Sequence, residues 1–470
     1  MPRPTYASVD IDVDTGAQPL PVEARPDTPF RILVLGDFSG RGNRGEPSPA
    51  RLRPYLIDRD NFDEILNRVR PELELGGHGR GIVLRFRELE DFHPDRIFEQ
   101  HPSFERLRAE RKSPGPAARA VAPESATRQP PPDVPMRLHG SFLDDVLEAT
   151  EAQPARPARQ PDALRDFIDR AVAPHLAPAP DPRLADAVAE VDAAAGKLMR
   201  AILHHRDFQA LEAAWRAVHW MVRGLETGSH LKVYVLDIGK ADLPGCLPEV
   251  RRVLVEQTAI PGAEPWALLA GNFTFRRNEG DIHLLNELAR IAQAAGAPLL
   301  AEADPGDADS DDALRLWQAL RRSTEARSVG LALPRFLLRL PYGKQTDTLE
   351  SFAFEEMPGA SAHHDYLWGN PAFACAYLLA EAFEIEGWDL RPGARREIKG
   401  LPMHVYDEDG ERRLKPCAEV LMTERDAEAM LDAGFMPLAS VKDQDAALLV
   451  RFQSIAEPPA PLAGRWIGGT

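Results

Sequence analysis

Residues 197–225, KLMRAILHHRDFQALEAAWRAVHWMVRGL, decide how this chain is read. Their first half completes an apolar series, Leu184, Val188, Val191, Ala195, Leu198 and Ile202, whose steps alternate between four and three. After a polar break at His204 to Arg206 a second series begins: Phe208, Leu211, Trp215, Val218, Val222 and Leu225. Such steps place each series on one stripe of a helix. The pattern predicts amphipathic helices over 183–203 and 207–225, and two long helices of this kind need a large body to bury against.

Downstream the pattern alternates. Strands are predicted at 231–238 (LKVYVLDI), 265–270 and 298–303 (PLLAEA), with an apolar stretch at 335–340. Helices are predicted at 162–173, 247–257, 281–295, 311–326 and 371–386. The last is well marked, with Asn370 as N-cap, Pro371 at its first position and Gly387 just past its end. Strands alternating with helices imply a three-layer α/β unit on a largely parallel sheet.

Upstream, residues 30–112 form a smaller α/β block. RILVLG (31–36) is a continuous apolar run, the mark of a strand buried on both faces. Asp60 is expected to cap a helix that has Asp63 at N3 and Phe62, Ile65, Leu66 and Val69 on its apolar side. GIVLRFREL (81–89) reads as a second strand, and Pro94 begins a short helical stretch. Residues 113–161 read as a Pro/Ala-rich linker. Within it lies a short amphipathic helix (141–150) with Phe142, Leu143, Val146 and Leu147 on one face. Such a helix either docks in another protein's groove or packs on its own domain.

At the N-terminus (1–29), Val9, Ile11 and Val13 alternate with Asp10, Asp12 and Asp14, the two-residue period of a half-buried strand. That strand suits pairing with another chain's sheet edge, and a frayed tail is the competing reading. Residues 457–470 read as a flexible tail.

At 470 residues, two or three domains are expected. The net charge of −17 argues against nucleic acid, which needs a basic stripe to displace counterions. No apolar run is long enough to cross a bilayer and no secretory leader is visible, so the expected location is cytoplasmic. The three cysteines, Cys246, Cys375 and Cys417, are odd in number and far apart, which suits buried small side chains better than disulfides or metal.

Catalytic chemistry finds little support. GDFSGRGNRG (36–45) follows a buried strand, as phosphate loops do, but the chain has no lysine before Lys112 to meet the phosphates. The serine also falls one place too late for a nucleophile elbow. The pairs His204–His205 and His363–His364 are adjacent residues, which point about 100° apart on a helix and chelate one ion poorly. DPGDADSDD (304–312) lacks the glycine and glutamate of a calcium loop. No cofactor or metal is expected. The tryptophans, Trp215, Trp220, Trp317, Trp368 and Trp388, sit in apolar stretches and read as core.

Two sets of motifs carry a family resemblance. Leu203, His204, His205, Phe208, Gln209, Leu211, Glu212, Trp215 and Arg216 fit the pattern LHHxxFQxLExxWR, and RLPYG (339–343), FAFEE (352–356), YLWGN (366–370), GLPMH (400–404) and GFMPL (434–438) follow in order. These resemble the large subunit of the type VI secretion contractile sheath, TssC (VipB). PFRILVLGDFSGR (29–41), IDRDNFDEIL (57–66) and LEDF (89–92) resemble the small subunit, TssB (VipA). The chain thus resembles a TssB–TssC fusion, with a TssB-like domain at 30–112 and a TssC-like domain at 162–456.

The resemblance implies a structural, non-enzymatic protein that assembles with other sheath subunits, itself or paralogues, around an inner tube of Hcp. It further implies a baseplate partner and a ClpV-type AAA+ unfoldase that grips the Phe142, Leu143, Val146, Leu147 helix. The Val9, Ile11, Val13 strand would link protomers. TssC chains continue into a further module beyond the QS motif, whereas this one stops after AEPPAPLAGRWIGGT, which raises the expectation of an accessory or capping role on a sheath or baseplate. An α/β enzyme is the alternative of a different class.

Overall fold

A computed structural model describes residues 26–76, 81–113, 182–304, 306–358, 363–408 and 410–466, and the counts below refer to these. The expected linking strand (Val9, Ile11, Val13), the docking helix (Phe142, Leu143, Val146, Leu147) and the 162–173 helix lie outside them.

The chain first runs through β1 (Phe30–Gly36), α1 (Arg41–Arg44), β2 (Tyr55–Ile57), α2 (Phe62–Val69), β3 (Glu72–Leu75), β4 (Ile82–Arg85), α3 (Pro94–Gln100) and α4 (Glu105–Lys112). It resumes with α5 (Pro182–Leu203), α6 (Arg206–Gly224), β5 (Leu231–Asp237), α7 (Leu243–Arg251), β6 (Leu268–Phe275), α8 (Glu279–Ala295), β7 (Leu299–Ala303), α9 (Asp311–Arg321) and β8 (Val329–Leu333). Next come β9 (Phe336–Leu337), β10 (Trp368–Gly369), α10 (Pro371–Glu386), β11 (Glu397–Lys399), β12 (His404–Glu408), β13 (Glu411–Lys415), α11 (Glu424–Asp432), β14 (Phe435–Ser440) and β15 (Ala446–Leu449).

By compactness there are two units. One comprises residues up to Glu105 together with those from Ala193 on; the other is Arg106–Asp192. Within the second, Arg111 Nε donates to Asp192 Oδ1 at 2.7 Å, joining α4 to α5.

The first unit is built on a nine-stranded sheet in the order β11-β15-β14-β8-β7-β6-β1-β5-β2. The six strands from β14 to β5 run parallel, and the strands at both flanks pair antiparallel. β1 occupies the interior: Phe30 to Gly36 pair with Leu231 to Asp237 on one side, and Ile32 to Leu35 pair with Leu268 to Gly271 on the other. Its residues are buried on both faces. Leu33 and Leu35 join the core formed with α8 and α9. Phe30 points the opposite way, its ring 4.8 Å from Phe383 of α10. Helices on both faces of a mixed sheet make the three-layer α/β fold that the alternating sequence predicts. Blocks far apart in sequence share this one sheet.

Several local expectations shift. The helix at 62–69 is preceded by Asn61 rather than capped by Asp60, because Asp58 Oδ1 takes the N–H groups of both Asp60 and Asn61. The strand expected at 265–270 is β6, at Leu268–Phe275. The helix expected over 311–326 stops at Arg321, and a tight turn at Glu325–Ser328 leads into β8, a strand that sequence reading omits beside the apolar stretch at 335–340. Cys375 and Cys417 are buried as expected; Cys246 is only half-buried.

The expected flexible tail is ordered as far as Trp466. Leu462 and Trp466 are buried, and Arg465 donates to the carbonyls of Trp266 (3.1 Å) and Ala295 (2.6 Å), the latter at the end of α8. Proline and glycine give this segment no period of its own, and tertiary contacts supply its order.

Candidate functional site

The helical signature at 203–216 is the natural place to look for function, and the fold places every member. Leu203 ends α5; His205 precedes α6 as its N-cap, Nδ1 accepting from Asp207 N at 3.3 Å. Phe208, Leu211 and Trp215 form the buried stripe of α6. Gln209 Nε2 donates to the carbonyls of His364 (3.1 Å) and Asp365 (3.3 Å), tying down the second histidine pair.

Glu212 is fully buried on α6, where an unpaired carboxylate would cost several kcal/mol. Arg339 meets it through Nε at 2.9 Å and turns its other edge to Glu356, with Nη1 at 2.8 Å and Nη2 at 3.1 Å. Arg216, one turn on from Glu212, donates to it through Nε (2.6 Å) and to Tyr342 Oη through Nη2 (2.9 Å). Tyr342 N–H donates to Glu356 Oε2 at 2.8 Å. His204 lies between carboxylates, Nε2 3.4 Å from Glu356 and Nδ1 3.2 Å from Asp365. The result is a network of acids and bases that ties α6 to the 339–356 segment.

Burial works to raise the Glu356 carboxyl, but Arg339, His204 and the Tyr342 N–H overcome it and hold the group at about 2. Burial pushes the Tyr342 hydroxyl up to about 12 against the pull of Arg216 and Arg339. A carboxyl at about 2 when folded and near 4.5 when unfolded stabilises the fold above pH 4.5, and this contribution is lost as the pH falls toward 2. Its size is on the order of 3 kcal/mol. Burial moves Asp237 and Glu302 in the opposite direction. Glu356→Gln should therefore flatten the acid limb of a stability–pH curve measured by denaturant melts; an unchanged slope would remove Glu356 from this role.

The other half of the signature meets the N-terminal block. Trp215 Nε1 donates to the Phe38 carbonyl at 2.9 Å, and its ring packs edge-on against Phe38 (5.3 Å) and Phe62 (5.8 Å). Phe208 meets Phe86 and Phe92, which stack on each other at 3.9 Å. Asn43 Nδ2 donates to Asp207 Oδ2 at 2.8 Å.

The N–H groups of the loop after β1 are taken up by two carboxylates, Asp37 of the loop itself and Asp237 at the end of β5. Asp237 Oδ1 accepts from the N–H groups of Phe38 (2.9 Å) and Ser39 (3.0 Å), and Asp37 accepts from those of Arg41 (3.0 Å) and Gly42 (2.8 Å). Those are the donors a phosphate would need. Gly40 turns the loop at φ 71°, with Glu72 O only 2.5 Å from where a Cβ would sit.

Two polar cavities lie in the first unit. One of about 770 Å³ is lined by arginines Arg41, Arg44, Arg68 and Arg70 interspersed with Glu46 and Glu72. The other, about 540 Å³, opens beyond the ends of β6 and β7, where Lys240 already pairs with Asp281 (2.7 Å) and Thr274 Oγ1 donates to Glu302 (2.8 Å). Among the described residues no cluster of three or more His, Cys, Asp or Glu could hold a metal ion, and no helix is long and apolar enough to cross a membrane.

Sequence reasoning singled out Glu212, Trp215 and Arg216 but not Arg339, Tyr342, Glu356, Phe38 or Asp237 as their partners. The signal for two of them was present: RLPYG and FAFEE place a charge inside an apolar motif, and a charge there needs an opposite one.

Comparison with known proteins adds three findings. Residues 185–316 and 307–456 match the VipB family, described as EvpB/VC_A0108, tail sheath N-terminal domain. Residues 8–113 match the family described as Type VI secretion system, VipA, VC_A0107 or Hcp2. Over 303 residues the chain is 34% identical to the Type VI secretion system sheath protein TssC1 of Pseudomonas aeruginosa, a match that covers 58% of this chain and 61% of that protein.

Proposed function

The chain belongs to the VipB tail sheath family and carries a VipA-type region ahead of it, and from that premise we propose that it is a structural sheath component of a type VI secretion machine. The observation that carries the reading is the fate of the signature: Glu212, Trp215 and Arg216 are spent on internal ion pairs and packing, so what remains for function is surface. In this reading the protein performs no turnover. It works in the cytoplasm by association with other sheath subunits around an Hcp tube, in contact with a baseplate, and its energy lies in the difference between two packings of the same protomers. Negative-stain microscopy and sedimentation of the purified chain, alone and with the tube protein, test it. Tubular or ring-shaped assemblies are expected. Single particles that bind only to a preformed sheath would give the accessory reading instead.

The amphipathic face of Phe142, Leu143, Val146 and Leu147 is the proposed grip for a ClpV-type unfoldase. Leu143→Asp with Leu147→Asp is expected to abolish pull-down by the unfoldase while leaving the melting temperature unchanged; retained capture would refute the assignment. The alternating Val9, Ile11 and Val13 are the proposed link between protomers. Deleting residues 1–16 should shift sedimentation toward smaller species, and an unaltered profile would count against that role.

A further inference from the structure

β5 and β6 are not neighbours in the sheet; β1 stands between them and bonds to both. Without it, two strand edges about 10 Å apart would face each other with unpaired N–H and C=O groups. Phe30, Ile32, Leu33, Val34 and Leu35 are each at most 2% exposed, so losing β1 would open apolar surface as well as strand edges to water. β1 lies in the VipA-type region and its neighbours in the VipB-type region. The larger region therefore has a slot in its sheet that is shaped for one strand of the smaller.

The contacts around the slot run across the same boundary. Ser48 Oγ donates to Asp242 (2.6 Å), Leu52 N to Glu249 (3.0 Å), and Trp388 Nε1 to the Thr28 carbonyl (2.7 Å). Asp95 accepts from the N–H groups of Glu350 (2.9 Å) and Ser351 (3.0 Å), and the rings of Phe98 and Phe352 lie 4.5 Å apart.

We infer that this polypeptide is a preassembled protomer: β1 fills in cis the slot that a separate small-subunit chain would otherwise enter, so the protein takes no free small subunit. The claim about the small subunit rests on the sheath reading; the interlock itself rests on the sheet alone. Covalent attachment also makes the pairing of β1 an intramolecular event, against which a free chain must compete from solution.

The test cuts the folded full-length chain at a protease site placed within residues 114–181, with a fluorophore at the N-terminus. The two pieces are expected to co-elute on a native column, melt in one transition and part only in denaturant. Incubated with uncut, unlabelled protein, the nicked sample should keep its label. Separation on the native column, or passage of the label to uncut chain, would overturn the inference. Polymerisation is read independently by sedimentation. Co-elution without assembly would sink the sheath reading alone, whereas assembly with ready label transfer would sink this one alone.

Discussion

Arg339→Ala is expected to destabilise the protein by about 3–5 kcal/mol, the cost of leaving a buried charge without its partner. The guanidinium holds two carboxylates at once, Glu212 at 0% exposure and Glu356 at 1%, so its removal weakens the pairing of both. Glu212 keeps Arg216 at 2.6 Å; Glu356 keeps the Tyr342 N–H and the flank of His204. Glu356 is thus the more exposed to the loss energetically, and its carboxyl should rise toward or past the ordinary range. A double variant, Arg339→Met with Glu356→Gln, removes a charge of each sign and fills similar volume. It should recover most of the lost stability, since neutral replacements of buried pairs are often tolerated. Denaturant midpoints of the three proteins measure this. A loss below about 1 kcal/mol for Arg339→Ala would mean that the network is wet or redundant.

How far the sequence anticipates these partners depends on the range of the interaction. Helix α10 is legible from Asn370, Pro371 and Gly387 because capping is local chemistry, and the structure places the helix at Pro371–Glu386. The break at His204–Arg206 is legible for the same reason. β8 is not, because VGLAL follows directly on a helical pattern and is only five residues long. The antiparallel flank of β14, β15 and β11 escapes notice too, since such short strands are defined by what they pair with.

The candidate site divides in the same way. A buried stripe on α6 is a matter of period. That Ser39 N–H reaches Asp237, 198 residues away, is a matter of which strands lie side by side, and no local pattern encodes it. The tail makes the point in reverse. Its composition reads as unstructured, yet Leu462, Arg465 and Trp466 are fixed by a body that was folded around other parts of the chain.

Trp215→Ala should be comparably damaging, because its ring is fully buried and such truncations cost about 3–5 kcal/mol. The Phe38 carbonyl would also lose its donor, which adds about 1–3 kcal/mol if water does not replace it. Trp215→Phe separates the two contributions: it retains an aromatic ring against Phe38 and Phe62 and loses only the hydrogen bond and some volume, so a smaller loss is expected. The distinctive expectation concerns where the damage spreads. Trp215 belongs to α6, but its contacts are the loop after β1 and the start of α2, both from the other sequence block. In the nicked protein, Trp215→Ala should therefore loosen the hold on the N-terminal piece, and that piece should leave under milder denaturant than in the nicked parent. If the pieces of the variant part at the same denaturant concentration as those of the parent, Trp215 stabilises its own block only, and the interlock rests on β1 and the polar contacts instead.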